Sequence, residues 1–417
     1  MNPRQAVKTN AAFDVHRIRE DFPMLARRTR GRPLVYLDNA NSTQKPQTVI
    51  DAQSAFYAEH YSNIHRGVYL LSQEATESYD AARAKVASFL NAGSPKEIVF
   101  VRGTTEAINL VASSWGSTNL RPGDEILISG MEHHSGIVPW QLACQATGAS
   151  LKVIPVTDDG ELDLAAAERM IGPKTKILSV IHISNALGTV NPVKGLIAMA
   201  KARGVPVLLD GAQTISHRAV DVADLDCDFY VFSGHKLFGP TGIGVLWAKE
   251  AILDAMPPYQ GGGNMIHEVT FEKTTYAPLP FKFEAGTTNI AGTLGLAAAV
   301  DYLAGIGYDA IGAHEDTLLE RVLTGLASVP EVRVLGNPKD RVSVLSLTVD
   351  GVHAHDAGTI LDLEGIAVRA GHHCVQPLMA RFKVPATIRA SFAFYNTVEE
   401  CDALVAGLKK CVEVFRG

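Results

Sequence analysis

Between Arg32 and Lys249, short apolar runs alternate with stretches whose apolar residues recur at helical spacing. The runs are EIVFV (97–101), EILIS (125–129), LKVIPV (151–156), KILSVIHIS (176–184), PVLLD (206–210), DFYVFSG (228–234) and GVLWA (244–248). Several are apolar throughout, as expected of strands covered on both faces. Helical patterns between most of them predict βαβ units and a mainly parallel sheet. DVHRIREDFPML (14–25) predicts a short amphipathic helix. Residues 256–293 break the rhythm: they are weakly periodic and rich in Gly, Pro and Thr, as functional or interfacial segments often are. Helices are expected over 289–307 and from Tyr308 to Ala327. Strand 341–349, helix 354–365, strands 366–371 and 386–393 and a helix from Thr397 then form a smaller α/β unit. The expected organisation is an N-terminal segment (1–30) packing with the small domain, a large domain (31–300) and a small C-terminal domain (301–417).

Composition adds limits. A chain of 417 residues exceeds one small core. With 47% hydrophobic and 20% charged residues it reads as an ordinary globular protein. A net charge of -6 without a long basic run argues against nucleic acid as a partner. The five cysteines form no C-x-x-C pair, which argues against a disulfide framework and fits a reducing compartment. No apolar leader or membrane-length window is visible, so the expected location is cytoplasmic, with no membrane partner.

The chemistry gathers at strand ends. VLLDGAQ and YVFSGHKLFGPTGIGVL each run from an apolar strand into polar residues, and open parallel sheets bind ligands at the carboxyl ends of their strands. Asp210 and Lys236 are therefore expected on one edge. A buried lysine amine forms Schiff bases with carbonyl cofactors, and an aspartate can hold a pyridinium nitrogen protonated. Pyridoxal 5'-phosphate (PLP) needs both. Gly103, Thr104 and Thr105 open a helix whose free N–H groups suit its phosphate, with Ser233 and His235 on the other side. His133 or His134 can cover a flat ring, and Asn185 and Gln213 can donate to its polar substituents. GPTGIG spaces its glycines wrongly for a dinucleotide or P-loop site and predicts a hairpin after Lys236.

RAGHHCVQPLM (369–379) sets two histidines against Cys374 just past a strand. Adjacent residues seldom both ligate one ion and no partner pair stands nearby, so no metal site is expected. HAHD (353–356) is read as a helix opening with solvated side chains. The other four cysteines are read as structural thiols.

The combined motifs resemble the class V aminotransferase superfamily of PLP enzymes, and within it the SufS-type (group II) cysteine desulfurases. The resemblance rests on YLDNANSTQKP, NIHRGVYLLS, VFVRGTTEAINLVA, MEHHSGIVPWQ, ISNALGTVNP, LLDGAQ, FSGHKLFGPTGIGVLW, FEAGTTN, RAGHHCVQPLM and RASFAFYNT, spread over nearly the whole chain. It implies the aspartate aminotransferase-like fold (fold type I) with a seven-stranded, mainly parallel sheet. It implies that Lys236 carries the cofactor and moves protons, and that Asp210 pairs with the ring nitrogen. Gln213 would reach the phenolic oxygen, and His133 would stack on the ring and assist proton transfer. Thr104, Thr105, Ser233 and His235 would hold the phosphate, and Thr287 would reach the phosphate of a partner subunit in a homodimer. Arg389, Asn185, Arg369 and His65 would bind substrate, and Cys374 would take sulfur from L-cysteine as a persulfide, leaving alanine. Arg369 or a protonated His372 or His373 could favour the thiolate. Asn41 and Tyr69 depart from the usual residues of their motifs, both near the expected site entrance. The short cysteine loop implies a dedicated sulfur-acceptor protein of the SufE or SufU kind serving iron–sulfur cluster assembly. The alternatives are a selenocysteine lyase acting on L-selenocysteine, another isomerase or transaminase of the superfamily, and a colourless scaffold without a cofactor.

Overall fold

The computed structural model describes residues 13–416. Its centre is a seven-stranded sheet of β1 (Ile98–Val101), β2 (Glu125–Ser129), β3 (Ser150–Ile154), β4 (Thr175–Ile181), β5 (Val207–Asp210), β6 (Phe229–Ser233) and β7 (Gly244–Ala248), in the order β1-β7-β6-β5-β4-β2-β3. All pairs are parallel except those of β7, which runs antiparallel to both β1 and β6. Every apolar run of the sequence becomes one of these strands, and the segment holding GPTGIG is the expected hairpin. Alternate side chains feed opposite cores: Phe229 and Val231 pack on one face, Tyr230 and Phe232 on the other. That period of two on a doubly covered sheet explains why the strands read as continuous apolar runs.

Helices α1 (Gln47–Ala55), α2 (Leu70–Phe89) and α4 (Ile290–Ile306) pack together on one face. On the other face lies α3 (Thr104–Leu110), whose helical run continues to Asn119. The irregular segment 256–293 contains a two-stranded hairpin, β8 (Ile266–Val269) and β9 (Thr274–Tyr276), with Phe271 fully exposed near its tip. Helix α5 (Tyr308–Leu326) leads to the small sheet of β10 (Val332–Val334), β11 (Val344–Val349), β12 (Arg369–Gly371) and β13 (Thr387–Ser391), in the order β10-β11-β13-β12. Helices α6 (Ala354–Leu363) and α8 (Val398–Arg416) cover it, and α7 (Gln376–Arg381) follows the cysteine loop. His353 caps α6, so HAHD does open a helix, and His355 is solvated.

Two segments link the surroundings of the seven-stranded sheet to those of the four-stranded sheet. Val35–Tyr36 pairs in parallel with Ile366–Ala367, and Ser391 donates to the Leu37 carbonyl, so this stretch joins the C-terminal strands before the chain enters the helices that cover the seven-stranded sheet. In the N-terminal segment, Arg19 reaches Glu400 and the Tyr395 carbonyl, and Phe22 packs among Phe238, Tyr302, Phe394 and Tyr395. Residues 1–12 of that segment lie outside the described residues.

A buried ion pair underlies the FEAGT loop. Glu284 takes two hydrogen bonds from Arg83, at 2.7 and 2.8 Å, one from the Phe100 amide and one from the Tyr79 hydroxyl. The guanidinium lies 4.6 Å from the Phe100 ring centre. Removing one partner leaves an uncompensated charge in the core. Glu284→Ala is expected to destabilise the protein by about 3–5 kcal/mol, seen as a lower urea midpoint. A midpoint unchanged from wild type would show that the pair carries no such load.

Candidate active site

β5 and β6 are parallel neighbours, so the residues that leave them arrive side by side. Asp210 ends β5 and is buried, with Oδ1 accepting the Ala212 amide at 2.9 Å. Gly211 follows because a Cβ there would sit 2.1 Å from the Tyr230 ring. Lys236 lies on the 3-10 turn Gly234–Lys236 just past β6. Burial pushes its amine down to about 8 against the opposing pull of Asp210, so a usable fraction is the neutral nucleophile near neutral pH. Burial likewise raises Asp210, opposed by the Ala212 amide and Lys236.

The turn carrying Lys236 is clamped from a distant segment. The His235 carbonyl accepts the Thr43 amide at 3.1 Å, the Thr43 and Ser42 hydroxyls and the Lys45 ammonium. Burial lowers Lys45 to about 8. Nothing local in STQKP signals this role.

Lys236, Asp210, Gln213, His133, Asn185, Thr104, Thr105, Ser233 and His235 line one inner cavity of about 130 Å³. A second cavity shares Thr104, Thr105, Ser233 and His235 with it and is also lined by Gly103. There the Ser233 hydroxyl takes the Thr104 amide at 2.8 Å, and a Cβ on Gly103 would press within 3.0 Å of it. Gln213 gives one amide hydrogen to the Ala40 carbonyl and keeps a second. The His133 Nδ1 accepts the Ser135 amide, which puts the ring hydrogen of the neutral imidazole on Nε2. Burial and Lys236 lower that imidazole to about 3, so it stays neutral. Glu132, the residue before His133, is held in place by accepting the Ser129 hydroxyl and the Ile181 amide, and burial raises it to about 8.

This set fits PLP. An amine and a buried carboxylate line one cavity, and hydroxyl and amide donors line the cavity that adjoins it. Bound there, PLP supplies an aldehyde for amines and a ring that accepts electron density.

Adjoining it is a cavity of about 390 Å³ lined from both the seven-stranded-sheet and the four-stranded-sheet parts of the chain. Asn41, His133, Asn185 and Lys236 are shared with the inner cavity, while His134, Arg369, His372, His373, Cys374 and Arg389 close it. Cys374 is exposed. Arg389 is buried on β13, donates to the Asn185 carbonyl at 2.9 Å and to Asp38 at 3.2 Å, and leaves Nε unpartnered. Arg369 grips the same Asp38 through Nε and Nη2. Asp38 therefore orients both guanidiniums, a role the sequence reading missed. A single aspartate beside YL carries no sign of partners more than 300 residues away.

Three expectations change, those for His373, His65 and Tyr69. His373 supplies no cation for the thiol, because burial lowers it to about 3 and its Nε2 faces the Thr387 hydroxyl at 2.7 Å. His65 does not line this cavity: its amide is tied to the Thr76 hydroxyl and its ring packs edge-on against Tyr79 and Phe281. Tyr69 caps α2, bonds Ser62 and also lies outside the lining, whereas Asn41 is inside it. Thr287 lies in a neighbouring groove with Arg102, Glu106 and Tyr259, which also border the phosphate-end cavity.

The Aminotransferase class-V family matches residues 35–404. The cysteine desulfurase of Salmonella agona is 53% identical over 399 residues, covering 95% of this chain and 98% of that protein. The crystal structure of the cysteine desulfurase CsdA (S-sulfonic acid) from Escherichia coli superposes with a TM-score of 0.90 at 41% identity, covering 97% of this chain and all of that one. The apo cysteine desulfurase of Thermococcus onnurineus NA1 gives 0.90 at 38%, over 96% and 98% of the two chains. The chain belongs to the class-V aminotransferase family of PLP-dependent enzymes and is a homologue of the cysteine desulfurases.

Proposed function

We propose that the protein is a PLP-dependent cysteine desulfurase that turns L-cysteine into L-alanine and passes the sulfur through Cys374. The observation carrying this reading is the meeting of Lys236, Arg389 and Cys374 around one cavity at the domain junction. Arg389 offers a buried guanidinium to the substrate carboxylate. Lys236 Nζ takes the α-proton, and His133 Nε2–H stands between both cavities as a hydrogen-bond donor. The Cys374 thiolate then attacks the substrate sulfur. The substrate C–S bond breaks, its carbon keeps the electron pair and is protonated, and a Cys374 persulfide remains. The net change is cysteine plus enzyme thiol to alanine plus enzyme persulfide.

The sulfur then goes to an acceptor protein of the SufE or SufU kind for iron–sulfur cluster assembly. An exposed Cys374 on a short loop supports transfer to a docking partner. A homodimer is supported by the exposed Tyr57, Tyr61, Val68, Tyr69, Leu70 and Leu71, and by a Thr287 free to serve a second subunit. Five unpaired cysteines favour the cytoplasm. Purified protein given cysteine and a thiol reductant is expected to form alanine and sulfide in equal amounts, faster with the acceptor. Absence of both products would overturn the reading.

A further inference from the structure

The loop bearing Cys374 is held in a conformation that its own residues disfavour. His373 and Cys374 both lie in the left-handed region, with φ of 52° and 57°, and neither is glycine. Such backbone persists only where its surroundings enforce it. The large domain supplies three contacts. The His134 amide donates to the Cys374 carbonyl at 2.8 Å, Asn185 Nδ2 donates to the His373 carbonyl at 2.8 Å, and His134 Nε2 accepts the Gln376 amide at 3.2 Å. Gln376 opens α7, and Val375 gives that helix no side-chain cap. The first amides of a helix need outside acceptors, and His134 supplies one from another domain. An accepting Nε2 requires the uncharged ring. Burial and the nearby His372 hold His134 below its ordinary range, in keeping with that form.

We infer that His134 is a positioning residue for Cys374: it docks the cysteine loop on the large domain so that the thiol borders the substrate cavity. This rests on the desulfurase reading above. His134 touches no reacting atom in this role. It acts through the loop, so its loss should slow sulfur abstraction and leave substrate binding by Arg389 in place.

The test compares His134→Phe, which keeps a flat ring without the acceptor, with His134→Gln, which restores an acceptor. In His134→Phe the Gln376 amide is expected to exchange with deuterium about tenfold faster, because one hydrogen bond is lost. The kcat for cysteine should fall about tenfold while KM stays within about twofold. The PLP absorbance should match wild type, and His134→Gln should recover much of both losses. Wild-type exchange and kcat in His134→Phe would overturn the inference. So would a rise in KM at constant kcat, which would mark His134 as a substrate contact. If wild-type protein releases no sulfide, the desulfurase reading fails, whereas amide exchange still reports on the clamp.

Discussion

Lys236→Ala protein is expected to purify without the visible absorbance of lysine-bound PLP and to lose turnover of cysteine by about a thousandfold or more. Among the described residues, Lys236 is the only amine lining the inner cavity, and it faces the buried Asp210 there. Lys45, which touches the same turn, is not free to take over the covalent role, because it is held by the Thr43 and His235 carbonyls. The fold should survive. Alanine removes a buried cation, and Asp210, already raised by burial, can take up a proton when left alone. Circular dichroism should therefore match wild type while the spectrum and activity do not. A variant that kept the visible band would move the cofactor's attachment elsewhere, and would exclude the colourless-scaffold alternative on different grounds.

The parts of this site that the sequence reveals are those whose signal is local. A continuous apolar strand ending in Asp or in Ser-Gly-His-Lys carries both its burial and its chemistry within a few residues. Asp210, Lys236, Thr104, Ser233 and His133 were all legible that way, and one cavity gathers them. The parts that stay hidden are made by contacts across domains. Asp38 orients Arg369 and Arg389, Lys45 and Thr43 grip the His235 carbonyl, and His134 holds the Cys374 loop. Each lies in a motif that was visible as a string, but its work depends on a partner far along the chain. The positive φ at His373 and Cys374 is equally hidden, because neither residue is the glycine that such backbone favours. Strand β10 has three residues, too few to show a period. The hairpin of β8 and β9 was masked by the glycines, prolines and threonines around it, and its apolar Phe271 points away from the core.

Cys374→Ala carries the second large effect and separates the two halves of the proposed reaction. Sulfide and alanine formation from cysteine should fall on the order of a thousandfold, as removal of a nucleophile does in other enzymes. Cofactor content should not change, since Cys374 is absent from the inner cavity and Lys236, Asp210 and the phosphate donors are untouched. Stability should barely change either. The thiol is exposed, and alanine meets the same left-handed backbone already imposed by the bonds to the Cys374 and His373 carbonyls. Cysteine should still bind, because Arg389 and Asn185 stay in place, so the absorbance change on adding substrate should persist without product. Selenocysteine makes the comparison decisive. If Cys374→Ala still released selenium from selenocysteine at the wild-type rate, and wild-type protein favoured that substrate, the protein would be a selenocysteine lyase. Full sulfide release from cysteine by the variant would instead remove the persulfide step, and Cys374 would then be only an exposed thiol on a strained loop.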